Sequence, residues 1–424
     1  MDDKILKLEN GAAVVCAPLK ERRSVSIGVW VGVGGRDEPV QLNGISHFLE
    51  HIVFKGTPTR TANQIKESVE GVGGSLNAFT AEEYTCFLAK ASRKHFEKVF
   101  GVLSDMVLNA SLDPKDIEKE RTVIMEEIKM TLDQPSQLVD ELLSEIVWPE
   151  HALGRPLAGT LGSVGGLTAG DLRNYRDRFY RPHGLTIAAA GDITESDLLE
   201  AARAFFPSQM NGTDRRTLDL FGNSQRKPNI KIFEKSTEQM HLALAVHAFS
   251  KDHPDEYILE LLSLILGGNM SSRLYNEVRE ERGLAYDIGS FIRRYHETGA
   301  FVVTAGVDHK KSQEALSVIV QQLERMCSEP VSADELRRAK DFYLGQLDLG
   351  LENSMNRMLW IGESVVTLGR CRKPEEVMAG IEKVTAEDLC RVAQGIFKTG
   401  SLNLAVVGSA ASPRNFEKVL AFSR

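Results

Sequence analysis

The sequence predicts an α+β fold class: two homologous domains, each a mostly antiparallel sheet flanked by helices. Three observations predict it. A stretch of the first half recurs in the second at a constant offset. Each half opens on a strand-like alternation of apolar and polar residues. Each half closes on a capped helix followed by a short apolar strand.

The repeat comes first in the argument. Leu167-Thr-Ala-Gly-Asp-Leu172 returns as Val384-Thr-Ala-Glu-Asp-Leu389, 217 residues on. Leu185-Thr-Ile-Ala-Ala-Ala-Gly191 returns as Leu402-Asn-Leu-Ala-Val-Val-Gly408, and Ala204-Phe205 as Ala421-Phe422, at the same offset. Gapless agreement over about forty residues marks a duplicated domain of about 210 residues. A chain of 424 residues is also longer than one core comfortably organises. The predicted division is a first domain over 1–212, a linker over 213–228 rich in polar and turn-forming residues, and a second domain over 229–424.

Within the halves, residues 25–33 and 240–247 carry the period-two pattern of a half-buried strand. Thr168 and Thr385 are placed to cap helices running to Phe179 and Ile396. Short apolar strands follow over 185–190 and 402–407.

Composition narrows the function. The chain is 42% hydrophobic and 26% charged, with a formal net charge of −8 and both signs interspersed. That balance argues against nucleic acid as a partner. No apolar run is long enough to span a bilayer, so a membrane protein is not expected. Five scattered cysteines, none in a Cys-x-x-Cys spacing, fit reduced thiols. With no apolar or Arg-rich leader visible at the start, a cytoplasmic location is the expectation.

The chemistry lies in Asn43-Gly-Ile-Ser-His-Phe-Leu-Glu-His-Ile-Val-Phe-Lys-Gly-Thr57. Ser46 or Asn43 can cap a short helix there, and Gly56 with Pro58 can end it. On a helix, His47 and His51 stand one turn apart on one face, where two imidazoles can hold one zinc ion. Glu50 shares that face and can reach a water without being a ligand. The order His-x-x-Glu-His is that of inverted zinc peptidases.

A catalytic zinc needs a third protein ligand. Asp113-Pro114 opens a strong helix on which Glu120 and Glu127 lie two turns apart on one face, while Glu126 points elsewhere. Spacing alone leaves two readings of Glu120 and Glu127 open. They are a ligand with a supporting carboxylate, or an exposed acidic stripe.

On these motifs the chain resembles the pitrilysin, insulinase and mitochondrial-processing-peptidase family, in particular its short bacterial members. That family follows His-x-x-Glu-His with a Glu about 75 residues later, itself preceded by a Glu-Arg pair. Here Glu127 stands 76 residues after His51, and Glu120-Arg121 precedes it. The resemblance therefore implies one zinc per chain on His47, His51 and Glu127, Glu50 as general base, and Glu120 in support.

Two further segments are similar to family motifs. Gly73-Gly-Ser-Leu-Asn-Ala-Phe-Thr-Ala-Glu-Glu-Tyr-Thr85 matches the edge strand that holds an extended peptide, with Asn77, Ala78 and Phe79 in the substrate-binding stretch. Ser271 to Tyr286 matches the family's Arg/Tyr element, with Arg279 and Tyr286 anchoring substrate carbonyls and the oxyanion. Read without the resemblance, these two are an ion-pairing Arg and a core Tyr. The family pairs a metal-bearing domain with a degenerate copy, so the second half is expected to bind no zinc.

The resemblance implies a zinc endopeptidase that cleaves unfolded or precursor peptides inside a closing chamber. It also implies a homodimer in which Arg279 and Tyr286 complete the partner's site in trans. The alternative is a non-catalytic or partner-dependent subunit of a heteromeric processing peptidase, against which the intact His47, Glu50, His51 and Glu127 set speaks.

Overall fold

The computed structural model describes residues 4–20, 22–206, 218–409 and 413–422. Residues 213–217 of the expected linker lie outside the described residues.

The principal elements of the first half, in chain order, are β1 (Leu6–Lys7), β2 (Ala13–Pro18), β3 (Ser24–Val31), α1 (Ile45–Ile52), β4 (Ser75–Thr80), β5 (Thr85–Ser92), α2 (Phe96–Asn109), α3 (Pro114–Asp133), α4 (Pro135–Val147), α5 (Ala169–Phe179), β6 (Leu185–Gly191) and α6 (Glu195–Phe205). The second half repeats the series as β7 (Asn229–Glu234), β8 (Met240–Ala248), α7 (Glu256–Gly267), β9 (Ala285–Arg294), β10 (Gly299–Val307), α8 (Ser312–Ser328), α9 (Ala333–Leu351), α10 (Ser354–Leu368), α11 (Ala386–Ile396) and β11 (Asn403–Gly408).

The two sheets share one topology. The first runs β1-β2-β6-β3-β5-β4 and the second β9-β10-β8-β11-β7. Only β2/β6 and β7/β11 are parallel; the other neighbours are antiparallel. The α+β reading, with a duplicated and mostly antiparallel sheet, is what the structure shows. The repeated capping signals also act as expected. Thr168 and Thr385 each accept the N–H of the aspartate three residues on, Asp171 and Asp388, whose carboxylates return the bond.

The chain folds into two compact units that do not simply follow its halves. One comprises 1–128, 155–219 and 348–373; the other comprises 129–154, 220–347 and 374–424. In consequence α10, from the second half, lies on β2, β3 and β6, while its repeat counterpart α4 lies on β7, β8 and β11. The two repeats exchange equivalent helices.

This exchange alters the expected half-buried strand. One face of β3 presents Val25, Ile27, Val29 and Val31 to a core shared with α1 and α2. The opposite face, where alternation predicts solvent, carries Trp30 against Met358, Ile361 and Val365 of α10. Ser26 and Ser354 join their hydroxyls at 2.9 Å on that face. Gly362 lets the helix approach, since a Cβ there would stand 2.2 Å from the Trp30 ring. Among the described residues no helix is long and apolar enough to cross a membrane.

Candidate metal centre

Helix α1 divides its residues between two tasks. Ile45, Phe48, Leu49 and Ile52 recur at helical spacing and are buried in the core. His47, Glu50 and His51 fall on the adjoining, half-buried face.

The start of α1 is not capped as the sequence suggests. Neither Ser46 nor Asn43 is the cap; Gly44 holds that position at φ 93°, and its side chain can offer nothing. The cap comes instead from Glu38, nine residues before His47. Its carboxylate accepts the N–H of Gly44 at 2.7 Å, the N–H of Ser46 at 2.8 Å and the Asn43 amide at 3.1 Å. The orphan N–H groups of the helix thus find a buried acceptor. Glycine is required at 44 because the backbone is left-handed there and a Cβ would lie 2.6 Å from the Ala158 carbonyl.

Burial pushes the Glu38 carboxyl up to about 7, against the pull of the Ser46, Gly44 and Asn43 donors. This has a sign. Between the ordinary 4.5 and about 7, the folded chain keeps a proton that the unfolded chain has released. The contribution of Glu38 to stability is therefore full below that window and falls as pH rises through it. Glu38→Gln is expected to flatten the fall in melting temperature between pH 5 and pH 7, read by calorimetry across the range.

Helix α3 brings the carboxylates. Ile117, Ile124 and Ile128 bury its apolar stripe, and Glu120 and Glu127 lie beside that stripe, facing α1. Arg121 ties the two helices. Its guanidinium lies 5.6 Å from the Phe48 ring centroid and donates to the Leu167 carbonyl at 2.7 Å and to that of Val164.

One ligand atom each from His47, His51 and Glu127 lies within 4.8 Å of the other two, the only such group among the described residues. Glu127 Oε2 stands 3.5 Å from His51 Nε2 and 3.9 Å from His47 Nε2. Those separations are long for hydrogen bonds but close to the roughly 3.3 Å that separates tetrahedral zinc ligands. The imidazoles meet edge to face, with centroids 4.7 Å apart. Burial, and then the neighbouring His51, push the His47 imidazolium down to about 4. At neutral pH it is therefore the neutral base that a metal takes. The set fits a zinc ion. Glu126, by contrast, is exposed.

The supporting groups differ for the two histidines. His51 Nδ1 faces Glu120 Oε2 at 3.5 Å, and Lys55 Nζ holds the other Glu120 oxygen at 2.6 Å. That chain orients the His51 ring from behind. His47 Nδ1 is buried with no hydrogen-bond partner among the described residues. Glu50 is held differently again. Its Oε2 accepts the Thr80 hydroxyl at 2.6 Å, and burial raises its pKa against that bond.

Thr80 ends β4, an edge strand whose only neighbour among the described residues is β5. Asn77 is exposed on it and Ala78 buried. Phe79 packs edge to face on Tyr84, ring centroids 6.1 Å apart, beside the core under α10.

Arg279 and Tyr286 belong to the second unit, whereas the metal set and Glu50 belong wholly to the first. Arg279 sits in a π-helical turn, Tyr275–Glu280. Its guanidinium lies 4.7 Å from the Tyr275 ring centroid and 5.7 Å from that of Tyr286. Tyr286 is 74% exposed, at a bulge in the β9 ladder.

Sequence reasoning missed Glu38, Lys55 and Thr80. Each stands in or near one of the motif segments, but none is related to its partner by helical or strand spacing. No local signal connects them.

Comparison with known proteins yields consistent matches. Residues 14–161 match the family profile described as insulinase (peptidase family M16), and residues 166–343 match the peptidase M16 inactive domain. The chain is 34% identical over 408 residues to YmxG of Bacillus subtilis, named an uncharacterized zinc protease; the match covers 95% of this chain and 98% of that one. It is also 34% identical over 406 residues to an uncharacterized zinc protease of Streptomyces coelicolor, covering 95% and 88% of the two chains. Among solved structures, a protease from Helicobacter pylori superposes with a TM-score of 0.90 at 22% identity, covering 95% of this chain and 98% of that one. A peptidase M16 inactive domain from Pseudomonas fluorescens gives 0.90 at 18% identity, covering 97% and 99%. At those identities the structural matches speak for the fold alone.

Proposed function

This chain belongs to the insulinase family of M16 peptidases, and from that premise we propose that it is a zinc-dependent endopeptidase acting on unfolded or precursor peptides. One observation carries the reading. His47, His51 and Glu127 converge at zinc-binding separations, while Glu50 presents a carboxylate on the same helix face with a hydroxyl, and no Lys or Arg among the described residues, as its bonded partner.

When bound, zinc would supply Lewis acidity towards the scissile carbonyl and make water a better nucleophile near neutral pH. The remaining steps fall to the chain. Glu50 accepts a proton from the attacking water as its oxygen bonds to the carbonyl carbon. It then returns that proton to the amide nitrogen as the C–N bond breaks. Glu120, fixed by Lys55, keeps the His51 ring in orientation. The free edge of β4 offers backbone donors and acceptors to an extended peptide beside Asn77 and Ala78, so affinity depends little on side chains.

Arg279 and Tyr286 are assigned to substrate carbonyls and the oxyanion. A guanidinium flanked by two rings, with its nearest carboxylate contact at 3.8 Å to Glu280, keeps donors to spare. We assign them to the partner's site in a homodimer that closes a chamber, in a cytoplasmic setting. The substrate is then chosen by size and lack of structure.

The test is cleavage of a quenched fluorescent peptide of about ten to twenty residues, long enough to add as a strand. Chelation is expected to abolish cleavage and zinc to restore it. Glu127→Ala is expected to lower bound zinc from about one per chain to a small fraction, with Glu126→Ala keeping it. No cleavage of any peptide, with one zinc bound per chain, would instead favour a non-catalytic or partner-dependent subunit.

A further inference from the structure

The Glu50 carboxylate must point one oxygen at a water and keep its charge. In the structure one residue outside the metal set governs its direction. Thr80 donates its hydroxyl to Glu50 Oε2 at 2.6 Å, and its backbone N–H is directed to the same carboxylate. The hydroxyl bond anchors Oε2 and so sets the direction of the carboxylate. Threonine suits the task because its branched Cβ restricts χ1 and so presets the hydroxyl direction.

The second repeat supplies an internal comparison. The β4–β5 turn closes with Ala81 N–H on the Tyr84 carbonyl at 2.8 Å, and the β9–β10 turn with Tyr295 N–H on the Thr298 carbonyl at 2.8 Å. The two turns align at an offset of 214, which sets Arg294 in the place of Thr80 as the last residue of its edge strand. Arg294 reaches back to Glu260 on α7, the counterpart of α1, and forms an ion pair. The edge strand is thus tied to the helix in both repeats, though at different helix positions: at this offset Glu260 stands opposite Ser46, and Leu264 opposite Glu50. In the second an arginine neutralises the acid. In the first a neutral hydroxyl orients Glu50 and brings no positive charge of its own, as suits a base.

We propose that Thr80 is the positioning residue of the Glu50 base, and that through it the edge strand on which a peptide lies is held in register with the proton-accepting oxygen. The inference rests on Glu50 being the base. A peptide paired along β4 is placed relative to the backbone of Thr80, and the base is placed relative to the same residue. Substrate and base therefore share one reference point.

The experiment compares Thr80→Val, which keeps shape and removes the hydroxyl, with Thr80→Ser, which keeps the hydroxyl. It measures kcat and KM on the quenched peptide, zinc affinity by chelator competition starting from the metal-free protein, and Glu50→Gln in parallel. Thr80→Val is expected to lower kcat about 10-fold or more, the scale set by misplacing a reacting group. KM and zinc affinity should stay within about twofold, and Thr80→Ser should recover most of kcat. The proposal is overturned if Thr80→Val keeps wild-type kcat, or if Thr80→Ser is as impaired as Thr80→Val. It is equally overturned if zinc affinity falls in step with activity, since Thr80 would then act through the metal helix. Full activity in Glu50→Gln would sink the base assignment itself, a result separate from any behaviour of Thr80.

Discussion

Glu50→Gln is expected to leave one zinc bound per chain while lowering kcat by about 10²-fold or more, the contribution typical of a positioned general base. The substitution is isosteric, and its amide oxygen can still accept the Thr80 hydroxyl, so α1 and β4 stay tied. None of the three converging ligand atoms belongs to Glu50, so the metal set is untouched. Removing a proton acceptor used only during the reaction should lower kcat and kcat/KM together and leave KM nearly unchanged. Metal analysis beside steady-state kinetics separates the cases. Loss of zinc would make Glu50 structural; retained activity would place the base elsewhere.

Cutting the chain between its repeats is expected to abolish folding of either half alone. Segment 1–212 lacks α10, and with it Met358, Ile361 and Val365, which cover Trp30, Cys86, Leu88 and Ala188. Segment 213–424 lacks α4, and with it Leu138, Val139, Leu142 and Leu143, which pack on Ala243, Ala245, Val302 and Ala405. Each such side chain contributes about 1.5–3 kcal/mol when buried, against a total stability of about 5–15 kcal/mol for a domain. Either segment alone should be insoluble, or compact without cooperative melting. Co-expression should return soluble, cooperatively melting material, because each segment carries the helix that the other unit lacks. A cooperative melt from 1–212 by itself would show that α10 is dispensable.

The legible parts of this protein are those written at short range. The duplication is visible because Thr168 and Thr385, each with an aspartate three residues on, punctuate the same helix twice. The histidine pair is visible because a helix turns i and i+4 onto one face, and Glu120 and Glu127 because seven residues make two turns. Glu127 could not be separated from an acidic surface stripe by spacing alone. What separates them is that α3 lies where Glu127 comes within 3.5 Å of His51, while Glu126 is exposed.

The sequence by itself determined the fold class, the repeat and the residues competent to bind a metal, because each depends on periodicity within one element. Only the tertiary structure decided which helix covers which sheet, that Glu38 caps α1, and that Thr80 and Lys55 hold the groups beside the metal set. Those contacts join residues from different elements, and no periodicity relates their positions. They are chosen by burial: a carboxylate withdrawn from water must find donors nearby, wherever along the chain they are encoded.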